Sequence, residues 1–213
     1  MRFLAAFLML CSVAFGQTYY STLNIPSGTT ATLTKAGSPH LFTGQINVYG
    51  TLIIEAGAEL VFPKSARINL WRGNQTQLWI NGTGLEPVLI RSTGGQWGGV
   101  NVVSTSTKAI VRVANCVFDN VGSSTSSLDL RNSDVIVQSS MINVVQPVGS
   151  TTAITAISCG TSVGLISDCE IRGGAIGIRL GSSQVIVDQV DVFGAINPID
   201  ATNRNIRISV QGQ

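Results

Sequence analysis

Glu170 and Asp191 are the two side chains whose types and spacing would do chemistry together. Each stands four residues after an apolar anchor, Ile166 or Val187, so a repeat that aligns the anchors puts the two carboxylates on adjacent strands. Adjacent strands lie about 4.8 Å apart. Carboxylates at about 5 Å suit a retaining glycosidase, with one as nucleophile and one as acid/base, or half of a calcium site. Arg172 lies nearby and completes the candidate catalytic set, Glu170, Asp191 and Arg172, should the chain be an enzyme. Exposed acids beside an arginine are ordinarily just a solvated face, so the non-catalytic reading ranks first.

A second group would bind rather than catalyse. With Leu70, Leu78 and Ile80 directed inward, Trp71 and Trp79 point outward on neighbouring strands, and Tyr49 shares that parity one rung earlier. Exposed rings in a row offer faces on which sugars stack, which makes Trp71, Trp79 and Tyr49 the candidate ligand-binding residues. Burial under an N-terminal segment is the competing reading. Trp97 is expected to pack at a turn. The single histidine, His40, sits in a Ser-Pro-His turn and reads as a solvated loop residue. Thr30, Thr32 and Thr34 alternate as an ice-binding face would, but the pattern does not recur.

The sequence contains no Gly-x-Ser-x-Gly elbow, no His/Cys metal cluster and no glycine-rich phosphate loop, so neither metal nor cofactor is expected. Charged residues are 11% of the 213, far below the quarter typical of soluble domains, while there are 23 glycines, the balance of a turn-rich β protein. The net charge of +2 is dispersed along the chain, which argues against a nucleic-acid partner.

Residues 1–16, MRFLAAFLMLCSVAFG, have one basic residue, an apolar core and small residues before Gln17. They read as a secretory signal, too short for the ~20 residues of a membrane span, and predict a secreted or cell-surface product with no membrane span elsewhere. Cys11 leaves with the signal. Cys116, Cys159 and Cys169 remain in apolar contexts and read as buried inert thiols, with a Cys159–Cys169 disulfide as the alternative.

What positions these residues is a recurrence of short alternating strands. Val113, Val137, Ile166 and Val187 align as anchors at intervals of 24, 29 and 21 residues, spacings characteristic of stacked repeats. Three residues after each anchor come Cys116, Ser140, Cys169 and Val190, and five after come Phe118, Ile142, Ile171 and Val192, all expected inside. Between them Asn115, Ser139, Asp168 and Gln189 form a polar column, expected to line a turn and bond the neighbouring rung. The stretches VGSSTSSLDLRNS and VQPVGSTTAIT are expected to project as loops. Residues 17–45 are expected as an entry or capping segment and 46–213 as the coil, of about seven or eight rungs.

Three segments in order, Gly50–Gly57 (GTLIIEAG), Gly82–Ile90 (GTGLEPVLI) and Trp97–Val100 (WGGV), resemble a pattern of secreted bacterial proteins of the pectin lyase-like superfamily. The resemblance implies an all-β, right-handed parallel β-helix. For an enzyme it implies a polysaccharide lyase or glycoside hydrolase, although the clustered acids and basic residue of that superfamily's calcium-dependent lyases are not found here. The leading expectation is a secreted, non-catalytic β-helix scaffold that contacts glycans or self-assembles. At the C-terminus Ile206 and Ile208 fall in the column of Val185 and Val187, with Val210 beyond. A bare last rung predicts head-to-tail self-association through Ile206, Ile208 and Val210.

Overall fold

The computed structural model describes residues 16–71, 76–103, 108–122, 125–146 and 153–201, with the backbone of 208 and 209. The predicted signal, apart from Gly16, lies outside the described residues, as do Ile206 and Val210. The strands come in sets of three. β1 (Thr18–Tyr20), β2 (Leu23–Ile25) and β3 (Thr30–Leu33) make the first rung; β4 (His40–Phe42), β5 (Ile46–Val48) and β6 (Thr51–Glu55) the second. β7 (Glu59–Phe62), β8 (Ile68–Leu70) and β9 (Gln77–Asn81) follow, then β10 (Val88–Ser92), β11 (Val100–Val102) and β12 (Ala109–Ala114). β13 (Cys116–Val121), β14 (Ser126–Asp129) and β15 (Ser133–Gln138) make the fifth rung. The rest are β16 (Met141–Val144), β17 (Thr155–Gly160), β18 (Val163–Gly173), β19 (Ile176–Gly181), β20 (Gln184–Phe193), β21 (Asn197–Ala201) and β22 (Ile208–Ser209).

Each strand pairs in parallel with its counterparts one rung before and after, which produces three ladders running the length of a parallel β-helix. Crossovers between parallel strands of one sheet take the right-handed sense. The second ladder is a sheet of 8 strands, one per rung, so the coil has eight rungs. β18 and β20 run unbroken from the third ladder into the first and join those two in a single sheet of 14 strands. Residues 17–45 form the first rung and open the second.

Alternation decides which side chains enter. Ile46, Val48, Leu52, Ile54, Leu60, Phe62, Leu78 and Ile80 are fully buried; of the residues between them Asn47, Ile53 and Trp79 are half-buried on the outer side, while Val61 is buried as well. The anchor column is as expected, with Val113 opposite Val137, Val137 opposite Ile166, and Ile166 opposite Val187. No rung can bury its apolar face alone; stacking does so while satisfying the strand hydrogen bonds. Gly50 and Gly99 stand where backbones close on one another. A Cβ on Gly50 would lie 2.3 Å from the carbonyl oxygens of Pro26 and Thr29, and one on Gly99 (φ +77) 1.8 Å from that of Ser127.

The corners differ from expectation. Asn115, Ser139, Asp168 and Gln189 have φ between 48 and 52, so each is a one-residue left-handed corner between the third and first ladders. Ser139, Asp168 and Gln189 are exposed, while Asn115 Nδ2 donates to the Gly82 carbonyl at 3.2 Å. The column therefore acts mainly through backbone conformation, which short polar residues tolerate best, rather than as a ladder of side-chain bonds. Asn132, Thr161 and Ser182 repeat the device between the second and third ladders, with φ of 49, 56 and 45. VGSSTSSLDLRNS is no projecting loop: its centre is β14, paired with β11 and β17. In VQPVGSTTAIT, residues 147–152 lie outside the described residues.

His40 also departs from its reading. It is 3% exposed in β4, with Nε2 2.9 Å from the Thr34 carbonyl and Nδ1 3.5 Å from the Tyr20 hydroxyl. Strand parity turns it inward, and burial lowers its pKa, partly countered by the Thr34 bond. Beside it runs a stack of rings inside the coil: Tyr20 on Phe42 (4.8 Å between centroids), Phe42 on Phe62 (4.8 Å), Phe62 on Trp97 (5.2 Å) and Trp97 on Phe118 (6.3 Å). Trp97, expected at a turn, lies between β10 and β11 in a parallel bridge with Val121; its ring is fully buried and its Nε1 donates to the Asp119 carbonyl at 2.9 Å.

Candidate functional site

The one-residue corners set up a groove. A strand that turns at Asp168 without a loop keeps its register on both sides, so the residues two beyond each corner line up: Val117 opposite Met141, Met141 opposite Glu170, and Glu170 opposite Asp191. The polar corner residues form one bank and this outward column the floor of a groove of about 530 Å³. Thr83, Gly84 and Pro87 wall one end. That wall is pinned where Thr83 Oγ1 accepts the Glu86 N–H at 3.0 Å and Glu86 pairs with Lys35 at 2.5 Å.

Glu170 and Asp191 thus meet on adjacent rungs, as their spacing predicts. Arg172 donates through Nε to Glu170 Oε1, and the two form an ion pair on the outer face. The groove is amphipathic: Val117 and Met141 give an apolar floor at one end, and Asp168, Glu170 and Asp191 an anionic lining at the other. Such an arrangement can hold a polymer segment along the coil axis, and its carboxylates can accept hydrogen bonds from hydroxyl or amine groups. Among the described residues no three His, Cys, Asp or Glu side chains gather as metal ligands would.

The aromatic candidates fall on two faces. Val48 and Leu70 are in register, so Tyr49 and Trp71 leave β5 and β8 at matching places; their rings are 13° from parallel with centroids 6.2 Å apart. That separation exceeds the rung spacing of about 4.8 Å, so the rings are slipped and part of each face stays open. Tyr49 is 38% exposed. Trp79 stands on the third ladder, between Ile53 and Arg112, and its Nε1 donates to Gln77 Oε1 at 2.8 Å. Residues 72–75, between Trp71 and Trp79, lie outside the described residues.

Beside Tyr49 and Trp71 runs a feature that the sequence reading passed over. Asn24, Asn47, Asn69 and Asn101 occupy one outward column of the second ladder. Asn47 Nδ2 donates to Asn24 Oδ1 (2.8 Å), Asn69 Nδ2 to Asn47 Oδ1 (3.2 Å), and Trp71 Nε1 to Asn47 Oδ1 (3.0 Å). The amides therefore fix the indole. The signal was present as four apolar-Asn-apolar triplets, LNI, INV, INL and VNV.

The three cysteines are buried and free, so the Cys159–Cys169 alternative does not occur. Burial pushes Cys159 up to about 12, helped by the Asp129 charge, and Cys169 to about 11; Cys116 is also raised by burial. Thiols held protonated are poor nucleophiles and metal ligands. Among the described residues no helix is long and apolar enough to cross a membrane. Comparison of the chain with protein-family models, with curated proteins and with solved structures returned no match.

Proposed function

We propose that the protein is an exported, non-catalytic β-helix scaffold whose outer surface contacts glycans. The observation that supports this reading is the Tyr49–Trp71 pair, with Tyr49 38% exposed, Trp71 partly exposed and its indole fixed by Asn47 of the asparagine column. A ring held by hydrogen bonds loses little freedom when a sugar docks on it, so stacking is less opposed by entropy. Export rests on the signal-like character of residues 1–16. A glycan array tests the glycan contact: Tyr49→Ala with Trp71→Ala is expected to weaken binding by about 1–3 kcal/mol, whereas Trp79→Ala leaves it unchanged. Equal binding by wild type and the double variant would overturn the assignment.

A second reading, a polysaccharide lyase or glycoside hydrolase of pectin lyase-like type, is favoured by one observation, the direct register of Glu170 with Asp191 in a groove. It requires turnover of a polysaccharide by the purified protein and at least about a hundredfold loss in Glu170→Gln. Turnover that survives this change would remove the site.

A further inference from the structure

The outer faces of the second and third ladders are built from opposite chemistry. On the second, the column reads Asn24, Asn47, Asn69, Asn101, Asp129, Ser158, Arg179 and Asp200, polar at every rung. On the third, it begins at Thr32 and then reads Ile53, Trp79, Arg112, Ile136, Leu165 and Ile186. In the adjoining column, which reads Thr51, Gln77, Ile110, Asp134, Val163 and Gln184, Ile110 and Val163 add apolar surface beside the centre of the row. In the row, Ile186 is 50% exposed and the five from Ile53 to Leu165 are half-buried. These two faces belong to one coil with the same strand parity, so strand alternation alone does not explain why one is polar at every rung and the other carries an apolar row.

We propose that this third-ladder face is a two-fold contact between two copies of the chain. The row is self-complementary about the midpoint between Arg112 and Ile136. A two-fold axis there sets Ile53 against Ile186 of the partner subunit and Trp79 against Leu165 of the partner subunit, with the Arg112 stem over Ile136 of the partner subunit. A depression of about 150 Å³ beside Trp79 and Ile136 has room for an aliphatic side chain. The charge is prepared for burial. Arg112 bonds Asp134 Oδ1 (3.0 Å) and the carbonyls of Asp134 (2.7 Å) and Val111 (3.1 Å), so the contact covers a neutralised guanidinium rather than a bare one. That same satisfaction leaves Arg112 little to offer a glycan, which makes a second copy the better occupant. Six rungs by five residues is about 30 Å by 17 Å, so two faces together cover about 1,000 Å², the lower limit of specific interfaces and consistent with micromolar association.

Sedimentation and light scattering on the full mature chain from about 1 to 100 μM test the contact. The mass is expected to double and then stop, because an isologous pair closes. Ile136→Asp and Ile186→Asp are each expected to raise the dissociation constant at least about tenfold, with wild-type circular dichroism and melting temperature. If Ile136→Asp unfolds, Ile186→Asp at its exposed position still decides. A wild type monomeric throughout, a dimer that persists in a folded variant, or mass that grows without limit in both would overturn the proposal. So would retention of wild-type monomer on insoluble polysaccharide that Ile186→Asp abolishes, since the row would then be a glycan face. The Tyr49 and Trp71 variants leave dimer formation unchanged, so failure of the glycan reading and failure of this one are distinguishable.

Discussion

From β1 to β13 the interior carries a column of rings, whereas from β12 onward the corners are closed by single left-handed residues, those between the second and third ladders each followed by a buried serine. Early corners between the third and first ladders are of several residues: 34–39 separate β3 from β4, 56–58 separate β6 from β7, and 82–87 separate β9 from β10. Later ones shrink to Asn115, then to Asp168 and Gln189 inside continuous strands. Behind the late corners Ser133, Ser162 and Ser183 are buried: Ser133 Oγ donates to the Arg131 carbonyl (3.0 Å), Ser162 Oγ to the Leu130 carbonyl (2.5 Å) and Ser183 Oγ to the Cys159 carbonyl (2.7 Å), the last two in the preceding rung. The N–H of Ser133 in turn donates to Ser162 Oγ (3.2 Å), and that of Ser162 to Ser183 Oγ (3.4 Å). The rings follow the first ladder, where Tyr20, Phe42 and Phe62 end β1, β4 and β7 and add buried area; the one-residue corners between the second and third ladders satisfy their backbone groups with short hydroxyls. One coil thus solves rung stacking by dispersion at one end and by hydrogen bonding at the other.

The largest test removes a ring. Phe62 touches both Phe42 and Trp97, so Phe62→Ala is expected to cost about 3–5 kcal/mol in urea unfolding. Phe62→Leu keeps most of the volume but loses the stack, at about 1 kcal/mol; no loss there would mean that the rings are mere filler. In the other half, Ser162→Ala strips the Ser133 N–H of its buried acceptor and should cost about 1–3 kcal/mol, while a cost below ~0.5 would show that the hydroxyl ladder is dispensable.

A smaller gain comes from relieving a corner. Thr161 is β-branched at φ 56, so Thr161→Asn should stabilise by about 1 kcal/mol, read as a higher urea midpoint; an unchanged or lower midpoint would refute corner strain. The smallest effect is one of pH. Because the folded pKa of His40 is lowered, the unfolded chain binds the proton more readily, and stability falls as pH drops below the unfolded value of about 6.5. His40→Gln should flatten that part of the profile. Hydrogen exchange should show the acid loosening in the rungs of β1 and β4 first; uniform loosening would assign it to other groups.

The repeat, the parity of each strand and the meeting of Glu170 with Asp191 were legible from residue order, because a period of two in side-chain direction and a period near one rung in anchors leave no freedom of register. What remained illegible concerns where the chain turns. His40 looked like a loop residue because Pro39 precedes it, yet the strand begins at His40 itself. The stretch around Ser127 looked like a loop because serine and glycine dominate it, yet neighbouring strands on both sides recruit it into β14. Tyr49, Trp71 and Trp79 share an outward parity, but parity separates inside from outside and does not say which of three faces a side chain lies on. That depends on the corners, where a left-handed residue is favourable only because the adjoining rung's backbone accepts the turn. Local sequence determined the rungs; the contact of each rung with the next decided their corners, and with them the groove, the aromatic platform and the apolar face.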